Sequence, residues 1–129
     1  MIIKNAAIII QNKKLLVVRK VNTSIYISPG GKPKNAETPS DCLRREIFEE
    51  INAEMLDAEL FSVDRAIATF EKKTIKIYSW MVNIVGEPQP CSEIVELKWV
   101  SFEETQLINM GSVFKDKVIP KLKLQGLIE

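Results

Sequence analysis

Gly30-Gly31-Lys32-Pro33-Lys34-Asn35-Ala36-Glu37 and, seven residues further on, Arg45-Glu46-Ile47-Phe48-Glu49-Glu50-Ile51-Asn52-Ala53 form the stretch whose reading decides the fold. A glycine pair directly ahead of a helix-forming segment lets backbone approach a ligand closely, at angles closed to other residues. On a helix, Glu46 lies three and four positions before Glu49 and Glu50, so the three carboxylates share an arc. Like charges at those spacings repel by about 0.2–0.5 kcal/mol per pair unless a cation intervenes. Magnesium is the expected partner, because it takes hard oxygen ligands and usually keeps water and phosphate oxygens in its shell. An isolated Glu-x-x-Glu-Glu reads as a solvated helix face. The glycine pair and Arg45-Glu46 at fixed offsets set this stretch apart from that reading.

The helix carries its own start and stop signals. Thr38 is a good N-cap, Pro39 fits the first turn without losing a needed hydrogen bond, and Asp41 completes an acidic variant of the capping box. The helix is therefore predicted to begin near Pro39. At about 100° per residue, Leu43, Ile47 and Ile51 form an apolar stripe for packing, and Glu46, Glu49 and Glu50 occupy the neighbouring arc. Asn52 supplies the second-best residue after glycine for a left-handed helix end.

The spacing of Gly31, Glu37, Arg45, Glu46, Glu49 and Glu50 resembles the Nudix box of the Nudix hydrolases, with Asn52 standing where that family has glycine. Six identities at these offsets coincide by chance on the order of once in ten million starting positions. The resemblance extends to the small MutT-type members through the leading hairpin, the Gly86-Glu87-Pro88 turn, and Glu93 ahead of Glu96-Leu97-Lys98-Trp99-Val100. It implies an α/β Nudix fold, an α/β/α sandwich around a mixed β-sheet, spanning 1–129 as a single domain. By the same resemblance, Glu46, Glu49, Glu50, the Gly30 carbonyl and Glu93 are the expected ligands of Mg2+, with Mn2+ as a substitute. Arg45 orients the carboxylates, and Glu37 helps fix the loop.

The activity implied is hydrolysis of a nucleoside diphosphate linked to another group. The leading expectation is a (deoxy)nucleoside triphosphate giving monophosphate and pyrophosphate, with 8-oxo-dGTP first. Dinucleoside polyphosphates, nucleotide sugars and ADP-ribose are the alternative substrates, and a non-catalytic nucleotide-binding regulator is the alternative class. Arg19, Lys20 and Lys73 are candidate phosphate contacts, with Gly31 at the substrate loop. Ser28 precedes Pro29 where some MutT-type enzymes place a base-stacking aromatic, which leaves Phe70 and Tyr78 as the aromatic alternatives.

Composition narrows the chemistry further. The chain has 129 residues, a net charge of +1 and scattered basic residues, which gives no footprint for a nucleic acid polymer or an anionic membrane. The longest apolar run, Ala6 to Ile10, is far below a membrane span, and Lys4 and Asn5 interrupt any signal-like start. A cytoplasmic protein with free Cys42 and Cys91 is expected. Histidine is absent, which removes Ser-His and Cys-His nucleophiles and ordinary zinc sites.

Outside the box, Ile2 to Ile10 and Leu15 to Arg19 read as a hairpin about Gln11-Asn12-Lys13-Lys14. Ile25 to Ser28 is a brief strand, Met55 to Phe70 and Thr74 to Val85 a long antiparallel hairpin, and Ile94 to Val100 a further strand. Phe102 to Ile108 is a short helix and Ser112 to Gln125 a closing one. The closing helix offers Val113, Val118, Ile119, Leu122 and Leu124 to the core, with Pro120 interrupting its middle.

Overall fold

The computed structural model describes residues 1–67 and 73–129. Its elements in chain order are β1 (Ile2–Ile8), β2 (Ile10–Gln11), β3 (Lys14–Lys20), β4 (Tyr26–Ile27), β5 (Gly30–Gly31), α1 (Pro39–Ile51), β6 (Glu54–Ile67), β7 (Thr74–Val85), β8 (Ile94–Val100), α2 (Phe102–Leu107), a π-helical turn (Phe114–Val118) and α3 (Ile119–Leu124). Phe70 and the Glu71-Lys72 part of the expected hairpin turn lie outside the described residues.

The strands form two sheets. In the first, ordered β5-β1-β7-β6, β1 runs parallel to β7 while its pairing with β5 and the β6–β7 pairing are antiparallel. In the second, β3 pairs antiparallel with β2, β4 and β8. The run expected as one strand from Ile2 to Ile10 is thus divided: it breaks after Ile8, and Ile10–Gln11 joins the other sheet. The turn into β3 is a two-residue loop with positive φ at Asn12 (52°) and Lys13 (59°), the twist-matched geometry of tight hairpins.

Two helical layers cover the sheets. On one face Leu43, Ile47 and Ile51 of α1 pack with Ala7, Ile9, Leu16, Val18 and Val82. On the other, Phe114, Val118, Ile119 and Leu122 pack with Ile8, Leu15, Val17 and Val100. That is why Ala7-Ile8-Ile9 and Leu15-Leu16-Val17-Val18 are continuously apolar: both faces of these strands are buried, and alternation would place a polar side chain in one core. The expected sandwich is therefore present, its mixed sheet accompanied by an antiparallel one.

The C-terminal segment corrects the sequence reading in two places. Of the residues offered to the core, Leu124 is 87% exposed and Val113 only half-buried, while Phe114 joins the core. The helix is also not uniform, since a π-helical turn immediately precedes Pro120 and the Ile119 N–H donates to the Phe114 carbonyl. Proline lacks an N–H and crowds the carbonyl four residues back. A wider turn ahead of it lets α3 restart with Pro120 in its first turn. No helix among the described residues is long and apolar enough to cross a membrane.

Candidate active site

Helix α1 starts where its capping residues place it. Thr38 Oγ1 accepts from the Asp41 N–H at 3.1 Å, and Asp41 Oδ2 accepts from the Thr38 N–H at 3.3 Å. Its end is equally defined, because Asn52 adopts φ 52°, ψ 41° and donates its N–H to the Phe48 carbonyl. Between these limits the apolar stripe buries Leu43, Ile47 and Ile51, and this fixes the rotation of the helix. The acidic arc therefore turns toward β5 and the loop that follows it.

Arg45 organises that arc. Its guanidinium makes a two-pronged contact with Glu37, Nε to Oε2 and Nη2 to Oε1, both at 2.9 Å. Nη1 reaches Glu46 Oε1 at 2.8 Å and Glu49 Oε2 at 3.3 Å, and Nη2 also donates to the Lys32 carbonyl at 3.2 Å. Glu37 in turn accepts from the Lys34 N–H at 2.7 Å, so the loop after the glycine pair is tied to the helix through one cation. The Arg45 contact, with the Lys34 N–H second, draws the Glu37 carboxyl down to about 2.

The glycine pair serves two distinct needs. Gly30 sits at φ 140°, and a Cβ there would stand 2.1 Å from the Asn5 carbonyl oxygen, so no side chain fits. A Cβ on Gly31 would lie 2.7 Å from Glu46 Oε1, which means that this carboxylate occupies the space a side chain would take. The Gly30 N–H donates to Glu50 Oε1 at 2.8 Å. Glu50 Oε2 is buried and has no hydrogen-bond partner. With only 2% of the residue exposed, burial pushes the Glu50 carboxyl up to about 7, and the negative charge of Glu46 adds to the effect.

A cleft of about 540 Å³ opens beside this arrangement, and Gly30, Gly31, Lys20, Glu46 and Glu93 line it. Lys20 Nζ lies 3.3 Å from Glu93 Oε1 across the cleft wall. Arg19 is directed elsewhere: its Nε pairs with Glu96 Oε1 at 2.9 Å and its Nη1 donates to the Thr23 carbonyl at 3.0 Å. Tyr26 Oη donates to the same Glu96 oxygen at 2.7 Å, so Glu96 is occupied and Glu93 is the acid presented to the cleft. Lys73 and Tyr78 do not line it; the Tyr78 ring has the Lys76 ammonium 5.1 Å from its centroid. Ser28 does line it.

Sequence reasoning missed several lining residues. Lys32 and Lys34 were legible as cations beside the glycine pair, a signal that could have marked them. Lys4 of β1, and Ser112 and Val113 ahead of the π turn, reach the cleft only because β1 lies against β5 and the chain returns past β4. Nothing local distinguishes them.

The chain matches the Nudix domain over residues 1–122. It belongs to the Nudix family. The 8-oxo-dGTP diphosphatase of Haemophilus influenzae is 41% identical over 61 residues, a match spanning 46% of this chain and 43% of that relative. The MutT protein from Methanosarcina mazei Go1 shares the fold with a TM-score of 0.81 at 22% identity, covering 97% of this chain and 94% of that one. The E. coli ORF135 protein superposes with a TM-score of 0.78 at 26% identity, over 98% of this chain and 90% of that one.

Nudix hydrolases generally use divalent cations. The residues of this Nudix protein fit one. Glu50 Oε2 is a buried carboxylate oxygen without a partner, and the neighbouring donors on the arc are hard oxygens of the kind such cations take. Among the described residues no three acids already converge on one point, since Arg45 draws Glu46 and Glu49 to itself.

Proposed function

We propose that this Nudix protein is a Mg2+-dependent pyrophosphohydrolase acting on a nucleoside diphosphate linked to another group. The preferred substrate class is a (deoxy)nucleoside triphosphate, with 8-oxo-dGTP the first to test. The observation that carries the reading is Glu50, bonded through one oxygen to the Gly30 N–H and buried without a partner at the other, beside a lysine-lined cleft. A buried carboxylate left with an unpartnered oxygen is costly unless a cation completes it.

In this reading Glu46, Glu49, Glu50, Glu93 and the Gly30 carbonyl would hold Mg2+, or Mn2+ in its place. The ion would supply neutralisation of phosphate charge and a lowered pKa for the attacking water. Arg45 sets the geometry of Glu46 and Glu49 as their shared partner. Lys20, beside Glu93 in the cleft, binds phosphate oxygens, and Gly31 lets the phosphate chain approach the glycine loop closely. A glutamate of the arc accepts the water proton as oxygen attacks an internal phosphorus. Nucleoside triphosphate and water thus become nucleoside monophosphate, pyrophosphate and a proton. Arg19, held by Glu96, is assigned to support of the wall, and Lys73 has no part in the reading.

The test is a substrate panel with magnesium, run in heavy-oxygen water. It should include triphosphates, a dinucleoside polyphosphate, a nucleotide sugar and ADP-ribose. Pyrophosphate and monophosphate as first products from a triphosphate support the reading. Orthophosphate with nucleoside diphosphate refutes the bond assignment, and tight binding without turnover across the panel favours a regulator.

A further inference from the structure

The segment between β7 and β8 is attached to the C-terminal end of α1. A helix leaves its last carbonyls without internal partners, and here two of them are taken by that segment: the Gln89 N–H donates to the Ile51 carbonyl at 2.8 Å and the Cys91 N–H to the Glu50 carbonyl at 2.9 Å. Pro88 and Pro90 bracket the first anchor and restrict the backbone on each side of Gln89. The Glu93 carbonyl then accepts from the Val21 N–H at 2.9 Å, and the Ile94 N–H closes on the Cys91 carbonyl at 2.9 Å. Between the anchors at Cys91 and Glu93 stands Ser92, an exposed residue with φ 56°. A non-glycine residue at positive φ is uncommon and persists where its surroundings over-determine it.

We propose that Ser92 is a positioning residue: its left-handed backbone, locked between the α1 carbonyls and the Val21 N–H, aims Glu93 into the cleft at a fixed place relative to Glu50. The inference rests on the reading of Glu93 as a metal-binding acid of the site. The same helix end that carries Glu50 holds the segment that delivers Glu93, so the two carboxylates are set by one rigid element. Glu96, three residues on in β8, pairs with Arg19 beside the register shift in the β3–β8 ladder and is held against that guanidinium instead. The turn at Ser92 places Glu93 on the cleft side, beside Lys20.

The experiment is a cycle of variants at Ser92 and Glu93, read by titrating Mn2+ alone through its paramagnetic signal, by turnover, and by thermal melts. Ser92→Gly, which admits the same angle without strain, should hold Mn2+ affinity within about twofold of the parent. Ser92→Val disfavours positive φ and should weaken Mn2+ binding and lower kcat by about tenfold or more, approaching Glu93→Gln. In the Glu93→Gln background Ser92→Val should cost nothing further. Ser92→Ala, falling between glycine and valine, gives the same comparison if the valine variant fails to fold. A full effect of Glu93→Gln with no effect of Ser92→Ala or Ser92→Val overturns the positioning role alone. A silent Glu93→Gln overturns the role of Glu93 on which it rests. Equal losses from Ser92→Val with and without the Glu93 carboxylate mean a structural role only.

Discussion

The Gly30 N–H donates to Glu50 Oε1 at 2.8 Å, joining the glycine turn to a carboxylate 20 residues further along the chain. That bond leaves the second oxygen of Glu50 buried and free of protein partners, and so available to a cation.

Glu50→Gln should therefore lose at least about a hundredfold in kcat, the scale of removing a preorganised charge from a reacting centre. The fold should survive, because the amide oxygen still accepts from Gly30 and the like-charge contact with Glu46 disappears. Steady-state kinetics with magnesium, paired with circular dichroism, measure both; undiminished turnover in the variant or in chelator would overturn the assignment.

In chelator, the parent protein should become less stable as pH rises from about 4.5 to about 7. The Glu50 carboxyl is raised from 4.5 to about 7 by burial, so its folded form favours the proton and its contribution is fully present only below the unfolded value. The loss is on the order of 3 kcal/mol. Glu50→Gln should flatten this slope, as should saturating Mg2+. Denaturant melts across that range provide the measurement.

Glu37 titrates in the opposite sense. Its carboxyl is lowered from 4.5 to about 2 by Arg45 and the Lys34 N–H, so its contribution is present above the unfolded value and disappears as pH falls toward about 2. Glu37→Gln should make stability less sensitive to pH below about 4.5. The same variant should weaken Mn2+ binding, because Arg45 loses the partner that anchors it beside Glu46 and Glu49. Acid titrations followed by tryptophan fluorescence would reveal an unchanged slope if the contact contributes nothing.

The two glycines should respond differently to the same substitution. Gly30→Ala drives a methyl into the Asn5 carbonyl, a backbone atom that cannot move aside, and should sharply lower the melting temperature. Gly31→Ala meets the flexible Glu46 carboxylate and should leave the fold intact while displacing a proposed cation ligand. Melting and Mn2+ affinity separate the two; equal loss of stability in both variants would contradict the distinction.

Asn52→Gly should be neutral or slightly stabilising, and Asn52→Val should destabilise by about 1–2 kcal/mol, because a β-branched residue resists the left-handed angle found there. Comparing the two melting temperatures decides it, and equal values would place the strain elsewhere.

The sequence alone determined α1 and the placement of its carboxylates, because the governing interactions are local. Thr38 and Asp41 cap each other across three residues, Leu43, Ile47 and Ile51 recur at the helical period, and Asn52 ends the helix by its own conformational preference. The carboxylate arc and its neighbouring arginine follow from that period. Long-range register decided the rest. Arg19 and Lys20 are adjacent in sequence, yet pairing between β3 and β8 places one against Glu96 and the other beside Glu93 in the cleft. The passage from β1 to β2 depends on which sheet offers each strand an edge. Residues far apart in the chain, such as Lys4, Lys20 and Ser112, share a cleft only once both helical layers have closed over the strands. Side-chain type and spacing carry the first kind of information, whereas the second exists only in contacts that form when the sheets pair.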